Sequence, residues 1–373
     1  MTLLIKVFPK AGALSPFLVF LTLITLSSHA RWPSTSPQPP QPGAPWMFAV
    51  SGDSRNCGDL VMPAIAKQAK KRNPLFFWHL GDFRWMSRRD EDMRSKYLLE
   101  PLEGDYLTIA WSNFLDAQVA PFQPVPVYLG IGNHELLGGK KRKDYLDTFK
   151  AYLPAQGLHA PLSKNKYRSV DYHWVVAAVD FIYLDNASTH KFDAEQLRWF
   201  EEVLDQDEKD ANVKTVVVGM HAALPGSLAV NHSMDQYRAD GKQRALTLYR
   251  DLVTARNKYH KNIYILASHT HYYADDVFNN PYWQENGGPA SILPGWIVGT
   301  AGARFYQLPR GVATQPKHRM ANVYGYLLAT VSANGKMSFE FQEIGEADIR
   351  TALTPGYKDT LVQFCVEENG KPK

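Results

Sequence analysis

The chain has 373 residues, of which 45% are hydrophobic and 21% are charged. This composition suits one large globular domain or two small ones, and it excludes a compositionally disordered chain. The formal net charge is +4, and two of these charges belong to Lys6 and Lys10, so a chain that starts at Arg31 carries +2. A balance this close to neutral gives no support for nucleic-acid binding through bulk charge.

The first thirty residues have the pattern of an export signal. Lys6 and Lys10 precede an apolar run over residues 11–26, and small side chains stand three and one positions before residue 31. We expect residues 1–30 to be a signal peptide, which makes the protein secreted or periplasmic and free of the membrane after cleavage. The same segment also fits an uncleaved membrane anchor.

Residues 31–45 are rich in Pro, Ser and Gln, a composition that favours extended polyproline geometry and has little apolar surface to bury. We therefore predict a linker over this segment. A folded domain over residues 46–346 and a C-terminal tail over residues 347–373 follow it. No internal repeat is evident in the sequence.

The first half of the predicted domain alternates short apolar runs with helical patterns, which is typical of an α/β fold. In chain order we predict a strand over Trp46–Val50, a helix that begins at Pro63, a strand over Leu75–Leu80, a largely helical region over Arg84–Phe122 and a strand over Val125–Leu129. Proline suits the first position of a helix, because its missing N–H is not needed there.

The second half continues this alternation and ends in a hairpin. In chain order we predict a helix over Asp144–Tyr152, strands within Tyr172–Leu184, an amphipathic helix that opens at Asp193, and strands over Val213–Val218, Asn262–Ala267, Tyr324–Val331 and Lys336–Ile344. The pair Asn334-Gly335 between the last two strands is a strong signal for a tight hairpin turn.

Six polar side chains follow predicted strands near the points where the strands end. They are Asp53, Asp82, Asn133, His221, His269 and His271. Each one alone is typical of a turn or a cap, but their recurrence at strand ends indicates a shared site, because open α/β sheets bind ligands at that rim. Two carboxylates, one amide and three imidazoles are mixed oxygen and nitrogen donors, which suit Mn, Fe or Zn better than calcium.

In the order of its motifs, the sequence resembles the calcineurin-like metallophosphoesterase superfamily, including its purple acid phosphatase-related branch. The matching motifs are Gly52-Asp53-Ser54-Arg55, Gly81-Asp82, Gly132-Asn133-His134-Glu135, Gly219-Met220-His221 and Ser268-His269-Thr270-His271. The last has Ser268 where the family pattern has Gly. The resemblance implies an α/β fold, a four-layer α/β/β/α sandwich of two mixed sheets, with a dinuclear metal site at the strand carboxyl ends.

The resemblance also implies a role for each of these residues. Asp82 would bridge two divalent or trivalent metal ions. The other ligands divide between the ions, with Asp53 and His271 on the first and Asn133, His221 and His269 on the second. A metal-bound hydroxide would attack phosphorus, and His134 would protonate the leaving oxygen or position the phosphoryl group.

Two departures from the family pattern affect the first ion. Many members have His two residues after the first Asp, where this chain has Arg55, and purple acid phosphatases have Tyr three residues after the second Asp, where it has Trp85. Neither guanidinium nor indole is a normal metal ligand, so we expect the first site to bind its ion more weakly or to use an additional water as a ligand. Arg55 either contacts a substrate phosphate as a catalytic residue, the role we favour, or forms a structural salt bridge.

These observations predict an exported, metal-dependent phosphoesterase that acts on a small-molecule phosphate ester, foremost a phosphomonoester. A nucleotide or lipid phosphodiester is the alternative substrate, because such a metal centre hydrolyses both kinds of ester, and a non-catalytic binding module with the same fold is the alternative function. The aromatic residues Trp85, Tyr272, Tyr273 and Trp283 either stack on a nucleoside or cover the core. His232 either contacts substrate or is idle, and the oligomeric state is not predicted.

The chain contains two cysteines, Cys57 and Cys365. They form either one disulfide, which an exported protein permits, or two buried thiols. Asn186 and Asn231 each begin an Asn-x-Ser glycosylation pattern.

Overall fold

The structure is a computed structural model that describes residues 40–41, 43–96, 103–154, 170–188, 194–353 and 356–370. The predicted signal peptide, most of the predicted linker and Asp193 lie outside the described residues. Within the described ranges, no helix is both long enough and apolar enough to cross a membrane.

Strands and helices alternate along most of the described chain. The strands are β1 (Trp46–Ser51), β2 (Phe77–His79), β3 (Val127–Leu129), β4 (Tyr172–Val176), β5 (Val179–Leu184), β6 (Thr215–Met220), β7 (Asn262–Ala267), β8 (Tyr273–Ala274), β9 (Gly295–Val298), β10 (Arg319–Met320), β11 (Tyr324–Val331) and β12 (Met337–Ile344). The α-helices are α1 (Gly58–Lys70), α2 (Glu91–Lys96), α3 (Glu103–Phe114), α4 (Arg142–Phe149), α5 (Ala194–Lys209), α6 (Ala239–Tyr259), α7 (Pro281–Gly287), α8 (Glu346–Ala352) and α9 (Asp359–Gln363).

The strands form two mixed sheets. The first has the order β12-β11-β1-β2-β3, and the second has the order β10-β8-β9-β7-β6-β5-β4. In the first sheet β1, β2 and β3 are parallel, and in the second β5, β6, β7 and β9 are parallel. Parallel strands end at the same edge of a sheet, so the segments that follow these strands share one rim.

An aromatic core joins the two sheets face to face. The Phe48 ring of β1 packs edge-on against the Phe181 ring of β5, with ring centroids 5.0 Å apart. Phe181 in turn stacks on Trp174 of β4 at 4.9 Å. Burying one such side chain contributes about 1.5–3 kcal/mol. The contact between Phe48 and Phe181 therefore helps to hold the two sheets together.

Helices cover the outer faces of both sheets and complete a four-layer α/β/β/α sandwich. Every residue of β6 is buried, as expected for a parallel strand with both faces covered. Val217 faces the core between the sheets, whereas Val216 and Val218 pack with Leu252 of α6 in a second core. On the other side of the molecule, α1 packs against β11 and α8. The predicted fold class is confirmed.

Most predicted elements lie within a few residues of their predicted bounds, but the predicted start of the first helix is wrong. Helix α1 begins at Gly58, and Pro63 lies inside it. The cause is a tertiary contact that local patterns do not show, since the backbone N–H of Asp59 donates to the carboxylate of Asp92 at 2.9 Å. The first turn therefore forms before the proline.

The C-terminal residues pack into the core. Ile349 of α8 and Val362 of α9 are fully buried, and a disulfide joins Cys365 to Cys57 just before α1. The structure thus selects the disulfide over the two free thiols. Both cysteines are fully buried, so the bond is shielded from solvent.

Replacing both Cys57 and Cys365 by Ala should lower the free energy of unfolding by about 2–4 kcal/mol, because the disulfide restricts the unfolded chain across a sequence separation of 308 residues. Denaturant titrations with and without dithiothreitol measure this effect. The reductant should destabilise the wild type and leave the double variant unchanged. Equal stability of the two proteins would contradict the prediction.

Candidate metal centre and active site

The predicted site residues follow five strands of the two sheets and meet at one rim. Asp53 follows β1, Asp82 follows β2, Asn133 and His134 follow β3, His221 follows β6, and His269 and His271 follow β7. Asp53, Asp82 and His221 are almost completely inaccessible to solvent. The contacts among these side chains divide them into two groups.

Four donor atoms from the first group converge on one point. His221 Nε2 lies 3.0 Å from Asn133 Oδ1, 3.0 Å from His269 Nδ1 and 3.3 Å from Asp82 Oδ1. Ligands that bind a tetrahedral ion at about 2.0–2.1 Å lie about 3.3 Å from one another, so these separations are those of a metal site. Among the residues described, one group of three or more His, Cys or acidic side chains has ligand atoms within 4.8 Å of one another, and it consists of Asp82, His221 and His269.

The orientation of His221 leaves one nitrogen available to a metal. Its Nδ1 faces the carbonyl of Leu80 at 3.0 Å, and a carbonyl accepts but cannot donate, so Nδ1 carries the proton. Nε2 is therefore the nitrogen that would bind a metal ion, which would take the place of the proton that Asp82 and Asp53 favour there. Ser268, the residue that departs from the family pattern, also donates to the Leu80 carbonyl and lies 3.1 Å from His221 Nδ1.

Asn186 holds the backbone at His221 in place. Its Oδ1 accepts the N–H groups of His221 and Ala222 at 3.2 and 3.0 Å, and its side chain is almost fully buried. Asn186 is therefore a structural residue, although it begins a glycosylation pattern in the sequence.

Three of the predicted ligands have a left-handed backbone. The φ angles are 59° at Asp53, 60° at Asp82 and 63° at His269. Such angles are uncommon for residues other than glycine and cluster at functional sites. The carboxylate of Glu135 supports one of these turns by accepting the backbone N–H groups of Asp82, Phe83 and Gly132, each at 2.8 Å.

The second group consists of Asp53, His271 and Arg55. His271 Nε2 lies 3.2 Å from Asp53 Oδ1 and 3.0 Å from Arg55 Nη2. The Arg55 guanidinium also places its Nε 3.5 Å from Asp82 Oδ2. The guanidinium thus contacts two of the three side chains that the resemblance assigns to the first metal ion, Asp82 and His271.

The buried carboxylates of the site stabilise positive charge on the side chains beside them. Burial favours neutral Asp82, yet the neighbouring His221 and His134 hold the pKa of its carboxyl well below the usual range. Burial likewise opposes protonation of His221, but Asp82 and Asp53 raise the pKa of its imidazole to about 9. A site that stabilises positive charge this strongly also attracts a metal cation. Asp82 Oδ2 is buried and accepts no hydrogen bond, and Arg55 Nε lies 3.5 Å from it as an ion-pair partner.

His134 stands beside this centre and outside the donor cluster. Its Nε2 lies 3.8 Å from Asp82 Oδ2, and its ring packs edge-on against Trp85 at 6.1 Å. Burial lowers the pKa of His134 to about 4, against the opposing effect of Asp82.

A cavity of about 850 Å³ opens next to Arg55. Its lining includes four arginines and several aromatic or imidazole rings, among them Arg55, Arg88, Arg304, Arg310, Trp85, His232 and Tyr306. His232 stacks on Tyr306 at 4.9 Å, so it belongs to the cavity wall. Tyr273 and Trp283 are buried and do not line the cavity. These two rings therefore cover the core and are not placed to stack on a nucleoside.

Tyr306 and Arg304 are site residues that the sequence did not indicate. Tyr306 stacks on the His271 ring at 4.0 Å, and the carbonyl of Arg304 accepts a hydrogen bond from His271 Nδ1 at 2.6 Å. Both lie in the long connection between β9 and β10, which carries no strand-end motif. No local signal in the sequence distinguishes them.

Comparisons with known proteins agree with this geometry. The profile of the calcineurin-like phosphoesterase family matches residues 49–273. Among solved structures, purple acid phosphatase PPD1 from yellow lupin (Lupinus luteus) seeds is 16% identical, with a TM-score of 0.53 over 90% of this chain and 58% of the lupin chain. PhoD is 12% identical, with a TM-score of 0.51 over 83% of this chain and 73% of its own. No curated protein sequence matches significantly.

At these identities the structural likeness establishes the fold, and this chain spans about 58% of the lupin protein. The fold and the donor cluster together are those of an α/β protein with a metal site at the rim of its two sheets. The chain belongs to the calcineurin-like phosphoesterase family.

Replacing Gly132 by Ala should disrupt the metal centre, because a Cβ at this position would overlap Asp82 Oδ1 and come within 2.9 Å of His221 Cε1. We expect the metal affinity to fall at least about tenfold and the free energy of unfolding to fall by about 1–3 kcal/mol. Metal titration and denaturant unfolding measure the two effects. Gly345→Ala is the control, since its Cβ would meet nothing closer than 3.9 Å. Unchanged metal affinity in Gly132→Ala would contradict the prediction.

Proposed function

We propose that this protein is a phosphatase that removes the phosphoryl group from small-molecule phosphomonoesters, using a metal ion held by Asp82, Asn133, His221 and His269. The observation that carries the proposal is the convergence of these four donor atoms beside a cavity lined by arginines. Their mixed oxygen and nitrogen chemistry suits Mn, Fe or Zn. When bound, such an ion supplies positive charge that stabilises the charge developing on the phosphoryl group.

The side chains around the donor cluster have separate roles in the reaction. Arg55 lines the cavity, so its planar guanidinium can contact the phosphate oxygens of a substrate. His134 lies outside the donor cluster with its Nε2 near Asp82 Oδ2, and it protonates the leaving oxygen or positions the phosphoryl group. Protonation requires that the negative charge of a bound phosphate offset the burial that lowers the pKa of this imidazole. Glu135 is a positioning residue, since it acts on Asp82 through the backbone.

The charge of the cavity favours a monoester over a diester. A terminal phosphate carries close to two negative charges at neutral pH, whereas a phosphodiester carries one. Of the described residues that line the cavity, four are arginines and none is acidic. The diester reading keeps some support from Trp85 and Tyr306, which line the same cavity and offer flat faces to a nucleoside base.

Export is also part of the proposal. It is supported by the charge, apolar run and small residues of positions 1–30, and by the disulfide between Cys57 and Cys365, since disulfides persist in oxidising compartments. In this proposal residues 1–30 are removed and residues 31–45 tether a secreted or periplasmic domain. The uncleaved anchor remains the alternative.

Assays with aryl phosphate mono- and diesters test the proposed substrate class. The metal-loaded protein should hydrolyse the monoester with a kcat/KM at least about tenfold higher than the diester, because the cavity offers more positive charge than a diester can neutralise. A preference for the diester would make the protein a phosphodiesterase. Hydrolysis of neither ester, nor of a panel of nucleotides, would favour the binding module.

His134→Ala should lower kcat about a hundredfold or more and retain the metal, which is the usual effect of removing a general acid. Steady-state kinetics and elemental analysis of the same preparation measure both properties. His318→Ala is the control, because His318 is an exposed histidine that pairs with Asp275 and does not line the cavity, and its kcat should stay unchanged. Loss of metal from His134→Ala would instead make His134 a ligand or a structural support.

A further inference from the structure

We propose that the Arg55 guanidinium occupies the place of the first metal ion, so that the enzyme works with one metal ion and one fixed organic cation. The family resemblance implies a pair of ions. In this chain the donors of the second ion fit a metal, whereas two of the three donors assigned to the first ion, His271 and Asp82, already contact Arg55. The number of bound ions does not depend on which phosphate ester is the substrate.

Both ring nitrogens of His271 take part in hydrogen bonds within the protein. Its Nδ1 faces the carbonyl of Arg304 at 2.6 Å, so Nδ1 carries the proton. Its Nε2 therefore holds the lone pair, and Arg55 Nη2 donates to this nitrogen at 3.0 Å. A lone pair that accepts this hydrogen bond is not available to a metal ion. Neither nitrogen of His271 is thus left to act as a ligand.

The two carboxylate oxygens of Asp82 face different partners. Its Oδ1 faces the donor cluster, 3.3 Å from His221 Nε2. Its Oδ2 faces the other way and lies 3.5 Å from Arg55 Nε. Asp82 therefore still bridges two positive charges, as the resemblance implies, but the second charge is a guanidinium. A guanidinium stays charged at every pH at which the protein is folded, and it would repel an ion placed between Asp53 and His271.

Arg55 and Trp85, the two residues that depart from the family pattern at the first ion, contact each other. Arg55 stands where many members have a histidine ligand, and Trp85 stands where purple acid phosphatases have a tyrosine ligand. In the structure the Arg55 guanidinium lies over the Trp85 ring, 5.1 Å from its centroid. Stacking on an indole is a favourable contact for a guanidinium and holds it in one orientation. At one of the two positions where relatives have a ligand for the first ion, Arg55 takes the place of the ion. At the other position, Trp85 holds the Arg55 guanidinium in place.

The first ion's donors also differ from the second ion's in their geometry. The cluster of Asp82, His221 and His269 has ligand atoms within 4.8 Å of one another, and the described residues include no other such cluster. Asp53 Oδ1 lies 3.2 Å from His271 Nε2, and the third neighbour of this pair is Arg55 Nη2, 3.0 Å from the same nitrogen. The metal chemistry of this chain is therefore concentrated at the second position.

Counting metal ions in the full-length protein tests the proposal. The protein is loaded with excess Mn²⁺, freed of unbound ions by gel filtration, and analysed for metal per chain by mass spectrometry. We expect one ion per wild-type chain and two per chain in Arg55→His, which removes the guanidinium and supplies a neutral donor. The electron paramagnetic resonance spectrum should change from that of isolated Mn²⁺ to that of an exchange-coupled pair.

Arg88→His is the matched control for the arginine replacement. Arg88 also lies over the Trp85 ring, at 5.0 Å, but it contacts none of the predicted metal ligands, so the count should stay at one. A wild-type count of two or of zero overturns the proposal, and so does a count of one that persists in Arg55→His.

Two further variants decide the question if Arg55→His does not fold. His271→Gln should keep one ion per chain, because His271 holds none, whereas His269→Gln should lose the ion. Loss of the ion from His271→Gln overturns the proposal. These counts are made without substrate, so the proposed phosphatase activity can fail while the one-ion site stands, or the reverse.

Discussion

Asp82 is a carboxylate without solvent access, so its charge must be balanced by positive charge within the protein. Burying an unpaired carboxylate costs several kcal/mol, which is more than a typical single contact returns. Asp82 Oδ1 faces the imidazoles of the donor cluster, and Oδ2 faces Arg55. The strained backbone at this residue and the three N–H groups held by Glu135 keep the two oxygens pointing in these directions.

The two-sheet architecture is what brings these charges together. Five strands from two sheets end at one rim, and the aromatic contacts between Phe48, Phe181 and Trp174 fix the sheets to each other. A shift of one sheet against the other would separate Asp82 and Asn133 from His221 and His269. The disulfide between Cys57 and Cys365 adds a covalent tie close to the segment that carries Arg55. The stability of the core and the geometry of the site are therefore linked.

Much of the site could be predicted from the sequence, because strands, glycine turns and strand-end side chains are local features. The motifs that contain Asp53, Asp82 and Asn133 follow this rule, and the structure places their side chains close to the histidines. What depends on distant contacts could not be predicted. The start of α1 depends on Asp92, and the role of Tyr306 depends on His271. The direction of the Arg55 guanidinium depends on two other segments, which carry Asp82 with Trp85 and His271.

The central claim is that Asp82 lies between one metal ion and one guanidinium. A crystal structure of the metal-loaded protein, with anomalous data collected at the absorption edge of the metal, tests this claim most directly. We predict one anomalous peak, among Asp82 Oδ1, Asn133, His221 and His269, with Arg55 still beside Asp82 Oδ2. A second peak between Asp53 and His271, with Arg55 displaced from both, would contradict the account.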